Sequence, residues 1–193
     1  MYRVLVTVGL VLGTSASVVC GQVAVPTPAA VAAVAAVKPS SPLDALRFLV
    51  GTWQGEGSGQ PGRGSGAASF KLDLDGRVLV RRSHSDYPTA GGKQAVVHDD
   101  LMVIYATPGR VGLEAMYFDN EGHVIKYAAE VSPDGRRVVF LSEAEPAMPT
   151  FRLTYARVGE DVMDVVFEIA PPGAPGSFKP YVSGRIRRTN PDS

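Results

Sequence analysis

Turn signals recur along this chain at a spacing that leaves room only for strands between them. After Gly51 they include Asp75-Gly76, Asn120-Glu121-Gly122, Pro133-Asp134-Gly135 and Gly159-Glu160-Asp161. Each is a short Gly- or Asp-bearing connection of the kind that joins antiparallel neighbours. The runs between them are rich in Val, Ile, Thr, Tyr and Phe, which favour the pleated backbone. They lie around Thr52–Ser58, Ala67–Leu74, Arg77–Asp86, Asp99–Ala106, Gly112–Phe118, His123–Ser132, Arg137–Ser142, Thr150–Val158, Val162–Ala170 and Tyr181–Arg188. About ten sequential strands joined by short turns predict an all-β, up-and-down antiparallel barrel. The alternative is a two-sheet sandwich. Only one helix is expected, over Pro42–Val50, with Ser41 as cap, Pro at the first turn and Gly51 as stop.

The turns also assign faces, because side chains alternate along a strand. A three-residue loop at Asn120-Glu121-Gly122 sets Asp119 opposite His123, Tyr117 opposite Ile125 and Ala115 opposite Tyr127. The same loop type at Pro133-Asp134-Gly135 puts Val139 and Leu141 on the Tyr127 face. At Gly159-Glu160-Asp161 it sets Phe151, Leu153 and Tyr155 with Met163, Val165, Phe167 and Ile169, and Arg152 opposite Glu168 on the outside. A two-residue turn at Asp75-Gly76 sends Phe70, Leu72, Leu79, Arg81 and Ser83 inward. A three-residue turn there would instead send in Arg82 and His84.

The barrel does not begin at the first residue. Tyr2-Arg3, the apolar run Val4–Leu12 and the small residues up to Gly21 read as a secretory signal over residues 1–21, cleaved before Gln22. The apolar run is too short to span a bilayer. A lipid-anchored Cys20 is the rival reading, although Val19 is larger than such sites favour. Residues 22–41, nearly all Ala, Val, Pro and Ser, read as an extended tether. The barrel domain occupies 42–193, and a secreted or periplasmic location is expected.

Composition removes several function classes. The 19 basic and 19 acidic residues balance, which argues against a nucleic-acid partner. From Pro42 on, all 19 acidic and 17 basic residues are interspersed, as on a solvated surface. A single Cys excludes an internal disulfide framework and multi-Cys metal sites. The three histidines, His84, His98 and His123, come from different strands, and no metal site is assigned to them. Gly57-x-Gly59-x-x-Gly62 matches a dinucleotide fingerprint by letters alone, since no helix follows it.

The string Phe48-Leu49-Val50-Gly51-Thr52-Trp53-Gln54-Gly55-Glu56-Gly57, a helix running into Gly-x-Trp on a first strand, resembles the calycin superfamily: lipocalins, fatty-acid-binding proteins and nitrobindin-like barrels. The resemblance covers this motif and the layout from Pro42 onward. It implies that Trp53 closes one barrel end and that an Arg of the last strand, Arg185 or Arg187, stacks on it. Nitrobindin-like proteins bind haem through a C-terminal histidine, but no histidine follows His123. No haem and no other cofactor is therefore expected.

The candidate site is the barrel interior. Tyr117, Tyr127, Tyr155, Phe151 and Phe167 form an inward aromatic set that either fills the lumen or lines a pocket. Arg81, if inward, needs an anion, either a buried carboxylate or a ligand's acid group. His123 beside Asp119 at one mouth is either a ligand anchor or a hydrogen-bonded turn. His98-Asp99-Asp100 reads as a loop entering the strand Leu101–Ala106, with a ligand or acid–base cluster as the alternative. No catalytic residue is assigned. The leading function is a barrel binding a small, mostly apolar or amphipathic molecule through Arg81, Tyr117, His123, Tyr127, Phe151, Tyr155 and Phe167; the alternatives are an isomerase- or cyclase-type enzyme using Asp119 and His123, a haem-binding nitrobindin-like protein, and a filled barrel whose outside carries the interaction.

Overall fold

A computed structural model describes residues 41–89, 92, 94–109 and 111–189. The expected signal at 1–21, Cys20 and all of the tether but Ser41 lie outside the described residues. Ten strands follow in chain order: β1 (Gly51–Gly59), β2 (Gly62–Asp73), β3 (Val78–Tyr87), β4 (Val96–Tyr105), β5 (Leu113–Asp119), β6 (Val124–Val131), β7 (Arg137–Ser142), β8 (Thr150–Arg157), β9 (Val162–Ala170) and β10 (Lys179–Thr189). Each pairs antiparallel with its chain neighbour, and β1 pairs with β10 from Thr52↔Thr189 to Gly59↔Val182. That last pairing closes the sheet into a barrel and removes both edges, so the sandwich alternative falls.

Three of the four turns set the expected register. Ala115 faces Tyr127 and Tyr117 faces Ile125. Leu153 faces Phe167, and Arg152 lies opposite Glu168 with a two-pronged ion pair at 2.6 and 2.8 Å. Leu72 faces Leu79 and Phe70 faces Arg81, so Arg81 points inward. The fourth turn differs. The Ser132 N–H donates to the Arg137 carbonyl at 2.8 Å, so the β6–β7 loop holds four residues, Pro133 to Arg136. Asp134 accepts from the Ser132 hydroxyl and from the Arg136 N–H at 3.1 Å, which holds Arg136 in the loop. One extra residue exchanges the faces of β7. Val138, Phe140 and Ser142 are buried in the barrel, and the expected Val139 and Leu141 are not.

One end of the barrel is plugged. Ser41 and Asp44 form a capping box that starts a 3-10 helix over Pro42–Leu49. Its Leu43, Leu46 and Leu49 are buried with Trp53, Phe70, Leu79, Ile104, Leu113 and Met163. The Trp53 indole N–H donates to the Leu49 carbonyl at 2.7 Å. The arginine over the indole is Arg188, 4.2 Å from the ring centroid, rather than Arg185 or Arg187. Parity decides this. Arg188 sits opposite Trp53, whereas Arg185 and Arg187 point outward, Arg185 onto Asp164 at 2.6 Å. Arg188 also donates to the Phe48 carbonyl at 3.1 Å and to the Val50 carbonyl, tying the helix end to the last strand.

Two strands begin three or more residues earlier than the sequence suggests. β2 starts at Gly62 because Gly62, Gly64 and Gly66 continue the ladder opposite Gly59, Gly57 and Gly55. A Cβ at Gly55 would lie 2.2 Å from the Arg185 carbonyl oxygen, so β1 and β10 approach there as only glycine permits. β4 starts at Val96, so His98-Asp99-Asp100 is strand rather than loop, paired with Ser85, His84 and Ser83.

Candidate functional site

The half of the barrel opposite the plug is hollow. A cavity of about 810 Å³ opens among the ends of β1–β6 and β8–β10. Its floor is a chain of rings set edge to face. Phe70 and Tyr155 have centroids 5.5 Å apart, Tyr155 and Phe140 6.4 Å, Phe140 and Tyr127 6.4 Å, and Tyr127 and Tyr117 6.3 Å. These contacts divide the packed half from the empty half. Near the mouth Phe151 and Phe167 stack at 5.9 Å, and Tyr181 stands edge-on to Phe167 at 6.1 Å. Beside them, Gly184 of β10, Gly55 and Gly57 of β1 and Gly64 and Gly66 of β2 form a wall of bare backbone.

All seven residues singled out from the sequence line this cavity: Arg81, Tyr117, His123, Tyr127, Phe151, Tyr155 and Phe167. Tyr127 and Tyr155 are buried at the floor, while the side chain of His123 is 56% exposed at the rim. Asp100 and His98, which the loop reading of their segment leaves out of the lumen, also line it. A signal for Asp100 was present. Asp100, Met102 and Ile104 alternate on one face, and an inward Arg81 requires an anion.

Asp100 is that anion. Its carboxylate Oδ1 lies 3.0 Å from Arg81 Nη1, with the two side chains 3% and 10% exposed. The contact is ionic but poorly aligned, and both Arg81 Nε and Asp100 Oδ1 are buried without a hydrogen bond. Burial would lower the Arg81 pKa, but Asp100 and the three tyrosines outweigh it and hold the proton more firmly than usual. Burial raises the Asp100 carboxyl above its ordinary range, against the opposing pull of Arg81 and His98. Burial also raises all three phenols, Tyr155 to about 12, so they are neutral donors at physiological pH.

A polar chain climbs from this pair to the rim. His98 Nε2 lies 2.9 Å from the Tyr117 hydroxyl and 3.7 Å from Asp100 Oδ2, and its Nδ1 faces Glu121 at 3.0 Å. The Tyr117 hydroxyl donates to Asp119 at 3.3 Å. Asp119 also accepts from the N–H groups of Glu121 and His123, at 3.0 and 2.9 Å, and from His123 Nδ1 at 2.8 Å. Each oxygen of the Asp119 carboxylate therefore takes two donors, as in a saturated turn cap.

Burial raises the Asp119 pKa, but the hydrogen bonds from the His123 backbone and side chain outweigh it, and the net shift is downward. A lowered carboxyl pKa stabilises the fold above the unfolded-chain value and loses that contribution as pH falls through the folded value. Asp119→Asn is thus expected to destabilise at pH 7. The difference from wild type should shrink in acid unfolding series run below about pH 4. A pH-independent difference would show that the carboxylate charge plays no part.

His84 lies outside the lumen. Its nitrogens face Asp99 at 2.7 Å and Asp86 at 3.0 Å, and these bonds, that to Asp99 first, raise its pKa. Among the described residues no three His, Cys, Asp or Glu side chains gather as metal ligands. No helix there is long and apolar enough to cross a membrane.

Among solved structures the chain is similar to Rv2717c from M. tuberculosis, with a TM-score of 0.58 and 15% identity over 78% of this chain and 99% of that one. An S-type phycobiliprotein lyase, CPES, from Guillardia theta matches at TM-score 0.47 and 9% identity, covering 79% and 94%. A designed fluorescence-activating β barrel matches at 0.39 and 12%, covering 76% and 98%. At these identities the first likeness establishes a shared fold and nothing about chemistry. No protein-family model and no curated protein matches the chain.

Proposed function

We propose that this is an exported barrel that binds a small, mostly apolar molecule in its open half. The observation that carries the reading is the cavity of about 810 Å³ above a closed aromatic floor. That volume lies in the range of small-molecule sites and is hard to reconcile with a barrel whose lumen is filled. The walls suit an apolar body: Phe151, Leu153, Val165, Phe167 and Ile169 on β8 and β9, and bare glycine backbone with Ile186 on β10, β1 and β2. The polar groups lie at the floor and along β3–β5, where they would orient one end of the ligand. The Trp53 and Arg188 closure also agrees with the calycin resemblance. Export rests on the signal-like residues 1–21.

The test is a neutral, environment-sensitive dye, N-phenyl-1-naphthylamine. Fluorescence should rise saturably at one dye per barrel. Val165→Trp, which fills the lumen from β9, should abolish the rise while the far-UV spectrum stays that of wild type. A folded Val165→Trp variant that still binds the dye at full affinity would place binding outside the lumen.

A further inference from the structure

The floor of the cavity limits the ligand's head group, given the reading of the lumen as the binding site. Arg81 and Asp100 stand side by side, both lining the cavity and both at least nine-tenths buried. Arginine keeps its proton at any physiological pH. A buried guanidinium needs a counter-charge, and Asp100 at 3.0 Å supplies it. The pair is therefore neutral as a unit but strongly dipolar. Of the other titratable residues lining the cavity, Asp119 is held by its turn and His123, and His98 by Tyr117 and Glu121.

We infer that the lumen selects an electrically neutral head carrying a hydrogen-bond acceptor beside a donor, of the carboxamide type, and discriminates against both carboxylates and amines. A carboxylate approaching Arg81 meets the Asp100 carboxylate at nearly the same distance. An ammonium approaching Asp100 meets the guanidinium in the same way. In a low-dielectric site such like-charge contacts cost more than they would in water. An amide can turn its carbonyl to the guanidinium and its N–H to the carboxylate. Both residues line the cavity, so a head group at its floor meets the two halves of the pair together. The neutral hydroxyls of Tyr127 and Tyr155 add donors for the carbonyl without adding charge.

The experiment is competition against N-phenyl-1-naphthylamine at neutral pH with four ligands of one chain length: decanamide, decanol, decanoate and decylammonium. Decanamide should bind tightest, by roughly tenfold or more over decanoate and decylammonium, a gap of about 1.4 kcal/mol. Decanoate or decylammonium binding as tightly as decanamide would overturn the inference while leaving the lumen reading intact. Failure of the dye and of all four ligands to bind would sink the lumen reading itself. Asp100→Asn supplies an independent arm, because it leaves the Arg81 charge unbalanced. In that variant decanoate should overtake decanamide, and an unchanged ranking would count against the inference. The wild-type ranking decides the matter even where the variant does not fold.

Discussion

Tyr127→Ala should cost about 3–5 kcal/mol of folding stability, while its chain neighbour Lys126→Ala should cost less than about 0.5 kcal/mol. Tyr127 is 1% exposed, and its ring meets Tyr117 and Phe140 edge to face. Truncation removes a large ring and opens a void in the floor. Lys126 faces outward, half in solvent, and its ion pair with Glu114 at 3.2 Å is of a kind worth little. The same contrast should appear on β7 in the register set by its four-residue turn. Phe140→Ala, a fully buried ring, should cost several kcal/mol. Leu141→Ala, at an outward position that is 42% exposed, should cost far less. Denaturant unfolding of the four variants measures this directly. A larger loss at Leu141 than at Phe140 would mean that β7 is shifted by one residue.

The second large effect concerns the buried ion pair. Asp100→Leu should destabilise by about 3–5 kcal/mol, because Arg81 is left charged in a site it cannot leave and cannot lose its proton. Arg81→Met should cost less, since Asp100 can take up a proton, and burial already pushes its pKa in that direction. The double variant Arg81→Met/Asp100→Leu should return to within about 1 kcal/mol of wild type, as replacements of buried pairs by apolar residues commonly do. Strong non-additivity is therefore the expected result of the cycle. Additive losses would show that the two side chains do not act as a pair. Near-wild-type stability in the double variant would also mean that the pair is retained for something other than folding, which fits a polar floor for a ligand.

Much of the site could be read before any coordinates because hairpin turns are local. Asn120-Glu121-Gly122 alone sets Tyr117 and Tyr127 on one face, and Gly159-Glu160-Asp161 does the same for Phe151, Tyr155 and Phe167. The misreading at Pro133-Asp134-Gly135 arose from one side chain. Asp134 holds the Arg136 N–H in the turn, and a run of Arg136-Arg137 gives no hydrophobic cue to where the strand begins. The loop reading leaves His98 and Asp100 out of the lumen because polar residues at a strand start look like loop. They become lumen residues only through pairing with Ser85 and Ser83 across β3.

Period-two alternation and short turns by themselves determined an all-β chain of ten sequential antiparallel strands, since each hairpin's register depends on residues only a few positions apart. The chemistry of a buried guanidinium added that an inward Arg81 would need an anion, and the place of Trp53 came from the calycin resemblance rather than from any periodicity. Long-range contact decided the rest. Closure of β1 on β10 selected barrel over sandwich and gave Trp53 the partner Arg188, through parity accumulated around the sheet. Packing of Leu43, Leu46 and Leu49 against one end, with bare glycine on three strands at the other, made half of the lumen solid and half hollow. No local pattern encodes that difference, because a cavity is defined by what residues far apart in sequence leave unfilled between them.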